Sequence, residues 1–238
     1  MPITTAKSAY WKGFFDGLPF IFVVAPFAAL FGVLATEAGL SVVETMTFSV
    51  AVFAGAAQFT ALQLMQQDAP TLIVLTPALA VTLRVAMYSA SLTPYLGGAP
   101  MWQRIIAAYF TVDQSYALSV GQFEKEPSMS IPQRMGYFAG VLTPIVPVWY
   151  ASSLLGALLG TQVPDSWNLD FALPICFLAM VAPMLRTPAH MVAAFVAIVV
   201  GIAAATVPYS LGLIIAGTAG MMAGAQTEVW LVRRGMWT

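Results

Sequence analysis

Charge is what this chain has least of. Asp, Glu, Lys and Arg make up 8% of its 238 residues, against 60% hydrophobic types, where a soluble domain carries about 25% charged residues. So few ionised groups cannot cover the surface of a water-soluble globule of this size. Histidine and cysteine are scarcer still, with one of each, His190 and Cys176. A single cysteine excludes an internal disulfide. One His and one Cys also argue against a His/Cys metal site. They argue equally against an intramembrane enzyme, which needs a nucleophile–base pair or a metal cluster. The formal net charge of −1 provides no basic face for nucleic acid. No Gly-x-x-x-x-Gly-Lys loop is present, so nothing here binds ATP in that way, and no cofactor is implied.

What the chain does have is long apolar runs. A helix rises 1.5 Å per residue, so about 20 apolar residues cross a bilayer core. Runs at 17–36, 45–67, 71–96, 102–121, 135–160 and 171–185 read as six such spans. The uncharged stretch 191–227 is too long for one, and Val207-Pro208 divides it, because proline opposes helix continuation. The expectation is an all-α polytopic membrane protein with about eight transmembrane helices, forming one integral membrane domain over 1–238. Lys7 and Lys12 before the first run resemble a signal peptide. That run is longer than a typical h-region of about 7–15 residues and holds Pro19 and Pro26, so it reads as a retained span.

Positive charge favours the cytoplasmic side of such proteins. With the N-terminus inside, eight spans put Lys7, Lys12, Lys125, Arg134, Arg186, Arg233 and Arg234 inside and only Arg104 outside. Both termini are then cytoplasmic. An internal echo is also present: Gly13-Phe14-Phe15-Asp16-Gly17 parallels Gly136-Tyr137-Phe138-Ala139-Gly140, and Phe48 falls opposite Phe171. Four spans separate the copies, so the expected repeat is parallel, with halves 13–121 and 136–227.

Against this background Arg84 and Asp113 stand out, each near the middle of an apolar run. A charge at that depth costs about 2.5–3.5 kcal/mol on insertion scales. On a helix, Met87, Tyr88 and Ser91 share the face of Arg84, while Tyr109 and Tyr116 flank Asp113 at i−4 and i+3. One reading is a midplane site for a zwitterion or an ion. The other is a buried pair that joins two helices. Gln58, in Phe53-Ala54-Gly55-Ala56-Ala57-Gln58-Phe59, is a further polar group near mid-depth, either a binding residue or interhelical glue. Pro19 with Pro26, and Pro144 with Pro147, are expected to break the first and fifth spans. Pro77, Pro174 and Pro183 lie in the third and sixth. Glycines spaced by four at 13/17, 136/140, 156/160 and 220/224 suit close helix packing. Trp11, Trp102, Trp167 and Trp230 fall near expected interfaces, as does His190.

Taken in order, Phe53 to Phe59, Arg84, and Phe110-Thr111-Val112-Asp113-Gln114-Ser115-Tyr116-Ala117-Leu118 resemble the AzlC-type family, the large subunits of branched-chain amino-acid exporters. The resemblance covers most of the chain and is strongest from Gly13 to Leu118. It implies an exporter of valine, leucine, isoleucine and sometimes methionine in a bacterial cytoplasmic (inner) membrane, and the missing Gly-x-x-x-x-Gly-Lys loop points to an ion gradient as its drive. It also implies a small hydrophobic AzlD-type partner subunit. Gln58, Arg84 and Asp113 are the marked polar residues, with Tyr88 and Tyr116 beside them as further candidate substrate-binding groups. The family commonly carries an acidic residue where this chain has Gln114. The alternative kept open is a membrane scaffold that organises a partner and moves nothing.

Overall fold

A computed structural model describes residues 4–66, 71–160, 185, 187–207 and 211–234. Among them every regular element is helical. The chain forms two compact units, residues 1–62 with 81–164 and residues 63–80 with 165–238.

The frame of the first unit is a pair of long helices. The first comprises α1 (Ala6–Gly17), a single 3₁₀ turn (Leu18–Phe20) and α2 (Ile21–Glu37). The second is α8 (Ile131–Gly160). Taken as continuous stretches of 32 and 30 residues, they are the two among the described residues that are long and apolar enough to cross a membrane. Glycine is the reason they meet so closely. A Cβ on Gly136 would lie 2.6 Å from the Ala6 carbonyl, and one on Gly17 would lie 2.7 Å from that of Val141. Gly140 likewise backs onto Tyr10, Gly13 onto Tyr137, Gly156 onto Ala29 and Gly160 onto Val33. Partner numbers rise together along both helices, so the two run parallel. With no hydrophobic drive between helices in lipid, small residues that let backbones touch supply the attraction through van der Waals packing.

The prolines do not break these helices as expected. Pro26 lies inside α2, and Pro144 and Pro147 lie inside α8. Only Pro19 coincides with an irregularity, the 3₁₀ turn, and the chain continues straight through it. The breaks fall where there is no proline. The run expected to be the second span is α3 (Val42–Ala51) and α4 (Gly55–Met65), interrupted at Val52–Ala54. The fourth is α6 (Met101–Tyr109) and α7 (Asp113–Lys125), interrupted at Phe110–Val112.

Each broken run folds back on itself at its interruption, so neither forms one continuous helix of the expected span. On the Glu37 side, Phe48 in α3 and Phe59 in α4 both pack on Phe31, at ring distances of 5.8 and 6.0 Å. The Gln58 amide nitrogen lies 3.5 Å from the Phe48 carbonyl, a reach that a straight continuation over ten residues would not allow. On the other side, Trp102 and Ile106 of α6 line a groove with Pro132 and Ala139, so α6 rises alongside α8. Helix α7 then descends. Phe110 meets Phe53 at mid-depth, Phe123 meets Tyr137, and Pro127 accepts a hydrogen bond from Arg134. With 10 residues in α3 and 9 in α6, each rising arm is about 15 Å long, half of a hydrocarbon core of about 30 Å. Two short helical hairpins thus approach from opposite ends of the long helix pair and meet tip to tip.

Within the first unit, residues 81–96 of α5 (Thr71–Leu96) run beside α7. The α5 segment from Arg84 onward descends, since Arg84 reaches Asp113 at mid-depth and the Tyr95 carbonyl reaches Arg134 at the end where Lys7 lies. Arg104 therefore belongs to that same end, together with Lys7, Lys12, Lys125 and Arg134. The lone exception to the expected charge bias disappears.

In the second unit, α9 (Pro188–Ala203) and α10 (Leu211–Arg233) form an antiparallel hairpin. Gly220 packs on Ala193 and Ala197, Gly224 on Ala189 and Ala193, and Gly212 on Ala204. The division expected near Val207 is seen, and Pro208 itself lies outside the described residues. So do Trp167, Arg186 and, but for Leu185, the whole of the expected sixth span with Cys176, Pro174 and Pro183.

These contacts lead to three predictions. In a Cys176→Ala background, Gly98→Cys and Ser128→Cys will react with an impermeant thiol reagent from the same face as Lys7→Cys, and Glu37→Cys from the other. A crossing α6–α7 run would separate positions 98 and 128. Gly140→Val will abolish recovery of monodisperse protein in detergent, because its Cβ would overlap the Tyr10 carbonyl. Gly121→Ala has nothing within 4 Å of its new Cβ and will raise thermal stability by about 0.5–1 kcal/mol.

Candidate functional site

The two hairpin tips set the geometry of the site. Where a helix stops inside lipid, its last carbonyls and first N–H groups need partners from within the protein. Side chains beside each break supply them. The Tyr109 hydroxyl donates to the Val50 carbonyl in the last turn of α3, and lies 3.4 Å from the Tyr150 hydroxyl. Thr111 donates to the Ala107 carbonyl at 2.6 Å. Ser115 accepts from the Val112 N–H at 2.9 Å and donates to the Val112 carbonyl at 3.0 Å. At the opposite tip the Ala54 carbonyl accepts from Ala57 and Gln58. Phe53 wedges between the tips, against Phe110, Trp149 and Tyr150 at 5.3–5.9 Å.

Asp113 is the first residue of α7, so its carboxylate lies at a helix N-terminus, which favours an anion by about 0.3–1 kcal/mol. Helix α7 runs in the same direction as α5, and matching turns of the two therefore align. Arg84 Nη2 is 3.1 Å from Asp113 Oδ2. The Tyr88 hydroxyl donates to Asp113 Oδ1 at 2.8 Å. One turn on, the Tyr88 and Tyr116 rings stack at 4.2 Å and 11°, and the Tyr116 and Ser91 hydroxyls are 3.1 Å apart. The face of Arg84, Tyr88 and Ser91 expected from helical spacing is thus the face that meets Asp113 and Tyr116. The Arg84 side chain is 38% exposed and that of Asp113 17%. A guanidinium has five N–H donors, so most of its hydrogen-bonding capacity remains available to a bound anionic group.

Two expected neighbours are not part of this cluster. Tyr109 is separated from Asp113 by the break and serves the hairpin tips. Gln58 is fully buried on α4, and its Oε1 has no hydrogen-bond partner. Gln58 belongs to a second polar layer that sequence reasoning missed. Ser49 accepts a hydrogen bond from Trp149 Nε1 at 2.9 Å. Thr45 and Ser153, one turn away on the same two helices, are fully buried with unpartnered hydroxyls. The available signal was polar side chains spaced by four within apolar helices, Thr45/Ser49 on α3 and the indole of Trp149 with Ser153 on α8. A second ion pair was also missed. Lys12 and Tyr137 both contact Asp16 Oδ2, each at 2.7 Å.

A double-mutant cycle over Arg84→Ala and Asp113→Ala, read from unfolding in detergent, will give a coupling energy of about 1–3 kcal/mol. That is below the about 3–5 kcal/mol lost when one partner of a fully buried pair is removed, because Arg84 is partly exposed.

Comparison with known proteins agrees with the membrane character of this arrangement. The chain is 30% identical over 186 residues to a protein of Archaeoglobus fulgidus described as an uncharacterized membrane protein, covering 76% of this chain and 78% of that protein. It is 23% identical over 231 residues to the inner membrane protein YgaZ of Escherichia coli, covering 94% of this chain and 91% of YgaZ. No solved structure matches it. The profile described as AzlC protein matches residues 19–163, a stretch that contains both helical hairpins and the Arg84–Asp113 pair. The chain is therefore a member of the AzlC family of membrane proteins.

Proposed function

We propose that this protein is the large subunit of a secondary exporter of branched-chain amino acids, taking valine, leucine and isoleucine and also methionine. The carrying observation is the Arg84–Asp113 pair at the level where the two hairpins meet, partly exposed and flanked by tyrosine hydroxyls. A zwitterion entering a medium of low dielectric needs both signs of charge near it. Arg84 receives the carboxylate. Asp113 receives the ammonium group or a proton, and Tyr88 and Tyr116 complete the polar wall. Gln58, with a free amide oxygen in the adjoining layer, is the remaining candidate contact. Broken helices meeting near the midplane are a common way for transporters to build such sites.

The drive is an ion gradient, and a small hydrophobic AzlD-type subunit completes the transporter. The clustering of Lys7, Lys12, Arg104, Lys125 and Arg134 at one end of the first unit supports a multi-pass protein of the bacterial cytoplasmic membrane with its N-terminus inside. Arg233 and Arg234 support a cytoplasmic C-terminus by the same rule. The parallel run of α1–α2 with α8 supports a head-to-tail repeat of residues 13–121 and 136–227.

Inverted vesicles holding this chain and its partner will accumulate labelled valine under an imposed ion gradient, and Arg84→Gln will lower uptake at least tenfold while the protein still assembles. Absence of uptake, with the partner or without it, counts against the proposal. The second reading, a scaffold that transports nothing, draws on the fact that each Asp113 oxygen already has a donor. The double exchange Arg84→Asp with Asp113→Arg separates the two. A scaffold recovers folding and assembly with no change in any solute's movement, whereas an exporter recovers folding and stays inactive.

A further inference from the structure

Between α5 and α6 lies a cleft of about 170 Å³ that takes no part in the Arg84–Asp113 cluster. It is a groove open along its length, where Thr93 and Ala108 are exposed. Gly97 and Arg104 form the end nearest Lys7, Lys125 and Arg134, and Ser89 and Thr111 form the other. Ser89 is the chain neighbour of Tyr88, and Thr111 lies two residues before Asp113, so the cleft leads from the Lys7 end of the molecule towards the mid-depth pair. Its walls are apolar: Leu92, Leu96 and Ala107 are buried there.

Arg104 is the unusual member. It lies in the second turn of α6, and its guanidinium has no hydrogen-bond or ion-pair partner among the described residues. The other arginines of the first unit are engaged: Arg84 with Asp113, and Arg134 with the carbonyls of Tyr95 and Pro127. An unpaired cation at one end of an apolar cleft suits a ligand with one negative group and a short aliphatic body. Sites for drug-sized molecules run to about 300–1,000 Å³, so this one suits a small solute.

On the proposed function as a basis, we infer that this cleft is the cytoplasmic loading site of the exporter. Arg104 takes the carboxylate of an aliphatic amino acid, and Leu92, Leu96 and Ala107 take its side chain, before the solute passes to Arg84 and Asp113. The carboxylate then moves between two guanidiniums, at positions 104 and 84, and the ammonium group meets its counter-charge only at Asp113. A phospholipid headgroup has the same anionic chemistry, and the test separates the two.

Ala108 lines the cleft and is exposed. In a Cys176→Ala background, Ala108→Cys is labelled with methanethiosulfonates carrying either a sulfonate or a trimethylammonium group. The protein is reconstituted in nanodiscs of zwitterionic lipid, with and without added phosphatidylglycerol. The sulfonate reagent will react about tenfold faster than the cationic one, as expected for electrostatic steering into a cleft. Arg104→Gln will erase that preference and Arg104→Lys will retain it. Leucine and valine will slow labelling, and phosphatidylglycerol will not. A preference that is absent, or that survives Arg104→Gln, overturns the inference, as does protection by phosphatidylglycerol in place of the amino acids. The labelling needs no transport. Protection by leucine in a protein that exports nothing would refute the proposed function alone, whereas export without protection would refute the loading site alone.

Discussion

A backbone that turns round inside lipid must bring its own hydrogen-bond partners. Each unsatisfied N–H or C=O in hydrocarbon costs several kcal/mol, and this protein has two such turns facing one another. Tyr109, Thr111 and Ser115 serve backbone groups at the breaks, and one of those groups belongs to the opposite hairpin. The α3–α4 tip is therefore completed by a side chain of the other hairpin. The phenylalanines fill the remaining space and keep lipid and water from the joint. From this requirement come the depth at which α7 starts, the position of Asp113 at its first residue, and the alignment that brings Arg84 and Tyr88 to the carboxylate.

The frame that permits this is of a different kind. Helices α1–α2 and α8 are held by backbone contact along glycine stripes, joined by the Lys12–Asp16–Tyr137 cluster and by the hydrogen bond from Tyr10 to Thr143. Such a seam leaves no room for adjustment. The hairpins touch the frame through aromatic rings and single hydrogen bonds, which are easier to rearrange.

Much of this was legible in the residues, and what was not has a physical reason. The helical class followed from hydropathy, and helical spacing grouped Tyr88 and Ser91 with Arg84 and Tyr116 with Asp113, although it also put Tyr109 beside Asp113. The hairpins did not. An apolar run of twenty residues has the same composition whether it crosses the bilayer or reaches its middle and returns. Proline was the misleading guide. Pro26, Pro144 and Pro147 sit in continuous helices, and the breaks lie at Val52–Ala54 and Phe110–Val112, where tertiary burial of Phe53 and Phe110 decides the matter. One local signal was present. Thr111-Val112-Asp113 followed by Ser115 pairs β-branched residues with an acidic first turn and a capping hydroxyl, a helix start that the apolar run around it concealed. The charge bias carried a hint as well, since Arg104 was out of place under any arrangement in which α6–α7 crossed.

The seam between the two long helices also bears on how the protein is made. Gly32 packs against Ser153 and Ala157, more than 120 residues later in the chain. At about 5–20 residues per second, the first helix waits roughly 6–24 s in the bilayer before its glycine face is covered. Through that interval both hairpins have been synthesised without the frame that holds their tips together. Insertion machinery, or a neighbouring subunit already in place, has to shelter their exposed turns until the fifth apolar run emerges.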